Sequence, residues 1–133
     1  MKKTGGFSLL ELMIVIAVIA ITLAWALPSY EDSVRKARRA EAQSQMREFE
    51  VCAARRFTLD SNFSSADTCH PDPDGENEYY TFTVADGATT YTITATPKSD
   101  QTDDKCGTMT MVQTGATTAA ASGCWFSNQT SGS

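Results

Sequence analysis

The chain has 133 residues and a formal net charge of −5, enough for one domain with an attached segment and too few for two domains. The charge is divided: residues 30–57 carry seven Lys/Arg against five acids, a net of +2, whereas residues 58–133 carry ten acids against Lys98 and Lys105, a net of −8. That acidic part argues against direct nucleic-acid binding, which needs Lys and Arg to neutralise phosphates, and a lone histidine, His70, with no serine–histidine–acid set or glycine-rich phosphate loop, argues against an enzyme or a bound cofactor.

From Phe7 to Leu27 the sequence is apolar except for Ser8, Glu11 and Thr22. As a helix this run spans roughly 31 Å, about the thickness of a bilayer's hydrocarbon core. Lys2 and Lys3 precede it and predict a cytoplasmic N-terminus, with the rest of the chain outside the cytoplasm. The run is longer than the usual hydrophobic region of a secretory signal, about 7–15 residues. No clear small-x-small cleavage site follows it; "ALPSY" at 26–30 places Pro28 awkwardly. The small residues Gly5 and Gly6 come before the run instead. A plain membrane anchor accounts for the apolar run but gives no reason for Glu11. Carboxylates inside a membrane span are costly and functional by default, although one near a helix end can reach the headgroups.

The order Lys-Lys-Thr-Gly-Gly, then Phe7-Ser8-Leu9-Leu10-Glu11-Leu12-Met13, resembles the class III signal of type IV prepilins. The resemblance implies cleavage between Gly6 and Phe7 by a prepilin peptidase and methylation of the new Phe7 amine. It further implies that Glu11 pairs with the Phe7 amine of a neighbouring subunit.

Beyond Pro28, residues 29–57 contain no Gly or further Pro and are rich in good helix formers. Tyr30, Val34 and Ala37 form one stripe; Ala42, Met46, Phe49, Ala53 and Phe57 form another after a shift of register. These predict one long helix, kinked near Pro28, its lower part packing on partners and its upper part on its own head. Residues 58–78 read as loop, rich in Asp, Asn, Ser, Pro and Gly. Tyr80, Phe82 and Val84 then alternate with polar residues, as do Tyr91, Ile93 and Ala95. With Asp86-Gly87 as a tight-turn signal, they predict a hairpin. "TMTMVQ" at 108–113 predicts a third strand, "TGATTAAASG" a loop, and Cys124-Trp125-Phe126 a possible fourth strand before a frayed tail.

The expected fold class is therefore α+β, a long helix on a small antiparallel sheet of three to four strands. It is similar to the pilin fold, and "CGTMTMV" followed by "GCW" resembles the close of minor pilins of the PilE kind. The organisation implied is a leader over 1–6, an apolar membrane and filament-core helix over 7–28, its amphipathic continuation over 29–57, and a head over 58–133. Four cysteines, all beyond the apolar run of a small exported domain, indicate two disulfides. Spacing alone leaves three connectivities. The favoured pairs are Cys52–Cys69 and Cys106–Cys124, the resemblance supporting the second more firmly.

Asp72, Asp74, Glu76 and Glu78 alternate in "DPDGENE" and offer a calcium site as a minor alternative to a solvated loop; Gly75 is misplaced for an EF-hand loop. The resemblance implies a structural subunit of a type IV pilus, most like a minor pilin. Its expected partners are other pilin subunits, the prepilin peptidase, the inner-membrane assembly machinery and, before assembly, the membrane itself. Its expected location is the inner membrane first and the extracellular pilus afterwards. Three rivals stand beside it. A pseudopilin of a type II secretion system fits the acidic loop, while the disulfides and the C-terminal motif fit it less well. A DNA-uptake pilin is opposed by the −8 head. An anchored monomeric adhesin would be absent from filaments.

Overall fold

The computed structural model describes residues 5–126. One helix, α1, runs from Leu9 to Asp60. A short 3-10 helix follows at Ala66–Cys69. Strands β1 (Tyr80–Asp86) and β2 (Tyr91–Pro97) come next, then a second 3-10 helix at Ser99–Asp103, β3 (Met109–Val112) and β4 (Thr117–Thr118). The described residues divide into two compact units, which part between Val34 and Arg35.

The second unit is the head. Its sheet is antiparallel with strand order β1-β2-β3-β4. The alternation of β1 and β2 puts Tyr80, Phe82, Tyr91, Ile93 and Ala95 on the buried face. Met109 and Met111 extend that face on β3. Ala42, Met46, Phe49 and Ala53, spaced by three and four residues along α1, pack against it. Ala42 and Ala53, on either side of Met46 and Phe49 along the helix, let it approach the sheet, and the two large side chains fill what remains. Phe49 meets Tyr91 edge-on at 5.2 Å, and Phe63 meets the other side of Tyr91 at 5.1 Å.

Helix α1 ends where Ser61 turns left-handed (φ 55°) and its N–H bonds to Phe57 O at 2.8 Å. Asn62 Nδ2 then donates to the Asp60 carbonyl at 2.9 Å. The orphan carbonyls of the last turn thus gain donors within the chain. Phe57 lies at the edge of the expected stripe; it is 39 % exposed and stacks on Phe63 at 4.5 Å.

Two local expectations need correction. The fourth strand is Thr117–Thr118, not Cys124–Phe126. Gly115 (φ 78°) makes a tight reversal after β3, with Gly115 N–H bonded to Val112 O, and the β-branched threonines then pair with Thr110 and Met111. Cys124–Phe126 is held by other means. Gln43 Nε2 donates to Cys124 O at 2.8 Å, Phe126 N–H donates to Gln43 Oε1 at 3.1 Å, and Trp125 Nε1 donates to Thr118 O at 3.0 Å. The hairpin turn also differs. Asp86 and Tyr91 are the last paired residues, Gly87 N–H bonds to Thr90 O, and Gly87 does not adopt positive φ. The connection is a four-residue loop rather than a two-residue Asp-Gly turn.

Disulfides join Cys52 to Cys69 and Cys106 to Cys124. The first ties α1 to the 3-10 helix after it, and the second ties the start of β3 to the C-terminal segment. With sequence separations of 17 and 18, each is worth about 3 kcal/mol in the chain-entropy model.

Candidate functional site

The first unit holds the processing and assembly residues singled out from the sequence. None of residues 5–33 is buried, and Phe7 is 87 % exposed. The helix is long and apolar enough to cross a membrane, and none of that window is covered within the chain. Its first hydrogen bond runs from Leu12 N–H to Ser8 O at 3.1 Å. Ser8 is thus the N-cap position and Glu11 the third residue of the helix, the S-x-x-E spacing of a capping box. The sequence reading passed over this second reason for Glu11: a carboxylate in the first turn is stabilised by the helix dipole. The other polar side chain of the run is satisfied locally, since Thr22 Oγ1 bonds to Val18 O and Ile19 O at 3.1 and 2.8 Å. An apolar surrounding therefore finds no unmet hydroxyl there.

Gly6 is open. A Cβ placed on it meets nothing within 4 Å, and it has no positive φ. The same space surrounds Gly5. The chain's own packing does not demand glycine at either position. Pro28 lies inside α1; it has no N–H to offer the carbonyl one turn earlier.

In the head, α1 brings a buried polar set to the sheet. Arg39 and Asp104 are both buried and pair at 3.3 Å. Asp104 also accepts from Cys106 N–H at 3.2 Å, and Arg39 touches Cys106 Sγ. Gln101 Nε2 reaches Arg35 O, Tyr80 OH and Asp104 Oδ2 at 3.0–3.1 Å. Burial pushes the Tyr80 phenol up to about 12, against the lowering effect of the Gln101 hydrogen bond. Tyr91 is likewise pushed to about 12 by burial and then by the Glu50 charge. The sequence reading missed Arg39, Gln43, Gln101 and Asp104 because nothing in their spacing distinguishes them from solvated neighbours. The set positions the Cys106–Cys124 segment on α1 and offers no open nucleophile or base.

The acidic loop is organised by its own backbone. Asp72 accepts from the N–H groups of Glu76 and Asn77 at 2.9 and 3.1 Å, and Asn77 Oδ1 accepts from Tyr79 and Tyr80 N–H. Asp74, Glu76 and Glu78 point to solvent. Among the described residues no group of three or more His, Cys, Asp or Glu is placed to hold a metal ion. His70 Nδ1 accepts from Asp72 N–H, so Nε2 carries the proton donated to Phe82 O at 3.1 Å. This is a structural histidine.

Comparison with known proteins places these features. A family profile described as the prokaryotic N-terminal methylation motif matches residues 1–27. A second, described as type IV minor pilin ComP, DNA uptake sequence receptor, matches residues 28–110. The chain is similar to a fimbrial protein of Moraxella nonliquefaciens, 52 % identical over 42 residues, which are 32 % of this chain and 27 % of that protein. The chain spans about a quarter of the length of the first curated relatives it matches. A fimbrial protein of Pseudomonas aeruginosa is 31 % identical over 114 residues, covering 86 % of this chain and 70 % of its own length. In fold, the chain resembles a type IV pilin from Shewanella oneidensis, with a TM-score of 0.56 and 21 % identity over 68 % of this chain and 97 % of that one.

Proposed function

The chain belongs to the type IV minor pilin ComP family, and from that premise we propose that it is a structural subunit of a type IV pilus, carried into the filament by its N-terminal helix. One observation carries the reading: the methylation motif sits on the apolar part of α1, whose residues 9–33 are all exposed among the described residues. Such a helix needs external apolar surroundings. The membrane supplies them before assembly and a bundle of neighbouring helices supplies them afterwards, so the transfer exchanges one apolar environment for another.

Within that reading, cleavage after Gly6 frees the Phe7 amine, which is then methylated. Glu11 supplies its counter-charge on a neighbouring subunit. A buried carboxylate and a buried ammonium each pay a large desolvation cost unless paired. A subunit docked one step out of register leaves both unpaired, so the pair fixes axial position. The head contributes no catalytic step; its two disulfides and buried core keep it folded outside the cytoplasm.

A second reading, a DNA-uptake pilin, is favoured by the description of the family profile over residues 28–110. The −8 charge of residues 58–133 opposes it, and arginines of the stem are engaged by acids, Arg39 by Asp104 and Arg47 by Glu50. The test is to shear surface filaments from cells expressing the chain and to quantify it there, with DNA uptake measured in the same strain and in its deletion. The chain in filaments supports the structural reading. Its restriction to membranes rejects that reading, and an uptake defect with normal filaments selects the second.

A further inference from the structure

We infer that the first unit sets its own depth in the bilayer, with Trp25 and Tyr30 flanking the outer border and Glu11 reaching the inner headgroups. The inference rests on the reading of the chain as a membrane-held subunit. Trp25 and Tyr30 are 82 % and 69 % exposed. Among the described residues nothing covers these two amphipathic rings, and Trp and Tyr concentrate at membrane–water borders. Glu31 and Asp32 follow at once, so the uncharged run cannot extend further outward. Five helical steps separate the rings, about 7 Å. With the border between them, a hydrocarbon core of about 30 Å ends near residues 7–8.

That register places the Glu11 backbone only about one helical turn, roughly 5 Å, inside the inner border. Side chains on a helix lean toward its N-terminus, and here the N-terminus is the cytoplasmic end. The Glu11 carboxylate therefore leans toward the headgroups and away from the bilayer centre. Its place in the first helical turn adds the favourable end of the dipole. The precursor thus keeps the charge solvated. The charge becomes buried only when the helix leaves the bilayer, where the partner amine is available. The same register puts the Gly6–Phe7 bond at the inner border, within reach of an enzyme working at the headgroups.

The experiment reconstitutes the full chain in phosphatidylcholine vesicles brominated either near the headgroup end or near the end of the acyl chains. The quenching of Trp25 is isolated by subtracting the Trp25→Phe variant, which retains Trp125. Trp25 should be quenched about twofold or more strongly by the shallow bromines than by the deep ones. A double variant, Glu11→Val with Val15→Glu, moves the carboxylate one turn. If that carboxylate seeks the border, the helix shifts by about 6 Å toward the cytoplasmic side and Trp25 becomes deeper. Stronger deep quenching in the parent chain overturns the inference, as does a Trp25 depth indifferent to the swap. Shallow Trp25 in a chain that never enters filaments upholds this register and removes the pilus reading; deep Trp25 in a chain that does enter them gives the reverse.

Discussion

Residues 9–33 and residues 35–60 belong to the same helix and differ in everything that follows from sequence beyond backbone conformation. The first stretch is apolar as far as Pro28 except for Glu11 and Thr22, and buries none of its side chains. The second is mostly polar and buries Arg39, Ala42, Gln43, Met46, Phe49 and Ala53. The contrast teaches that apolar content does not by itself make a core. A stripe of three- and four-residue spacing meets a sheet and becomes interior. A helix apolar all round has no face to prefer, and among the described residues nothing buries it.

The contrast is broken most sharply at Glu11. Glu11→Ala should reduce the chain in sheared filaments by about a hundredfold or more, the scale expected for a buried ion pair that loses one partner. Membrane levels and the thermal unfolding of the head should not change. Glu11→Gln keeps the S-x-x-E/Q capping pattern and removes the charge, so comparable failure of both variants assigns the effect to charge, while rescue by Gln assigns it to the helix end.

Matched truncations on the two halves sharpen the same point. Phe49→Ala should cost the head about 3–5 kcal/mol of unfolding free energy, because Phe49 is buried against Tyr91. Ile16→Ala should leave that value unchanged within error, since Ile16 is exposed. Denaturant titration of the two variants in detergent decides it; equal losses would mean that the apolar half supports the head.

A smaller loss is expected from Cys106→Ser with Cys124→Ser, about 3 kcal/mol, with the Cys52–Cys69 bond intact on non-reducing peptide maps. Alkali gives the next effect. Tyr80 and Tyr91 hold their protons to about 12 in the folded head against about 10 when unfolded. Between those values the unfolded chain binds fewer protons, so stability is full below pH 10 and falls as pH rises toward 12. Unfolding midpoints measured from pH 8 to 12 should show that fall, and Tyr80→Phe should diminish it. The smallest effect belongs to the partly exposed Arg47–Glu50 pair; Glu50→Gln should shift stability by under about 1 kcal/mol.

Much of this was legible in the sequence, for identifiable reasons. Ala42, Met46, Phe49 and Ala53 repeat at helical spacing, and Tyr80, Phe82, Tyr91, Ile93 and Ala95 alternate, because each set answers to one buried face. The N-terminal methylation motif was legible because it is a contiguous run of residues rather than a tertiary arrangement. The fourth strand was misplaced because Thr117-Thr118 lies among alanines, threonines and glycines whose pairing depends on the left-handed turn at Gly115. The aromatic Cys124-Trp125-Phe126 looked more strand-like, yet its place is fixed by Gln43 from 81 residues away. Arg39 and Gln101 were equally hidden, since burial of a polar side chain is decided by a tertiary partner.

A processed assembly element and a permanent anchor leave different N-termini. Mass spectrometry of the N-terminal peptide from the chain recovered in sheared filaments tells them apart most directly. The expected peptide begins at Phe7 and carries one methyl group on its amine. A peptide beginning at Met1, or a chain cut after Ala26, would contradict cleavage before Phe7.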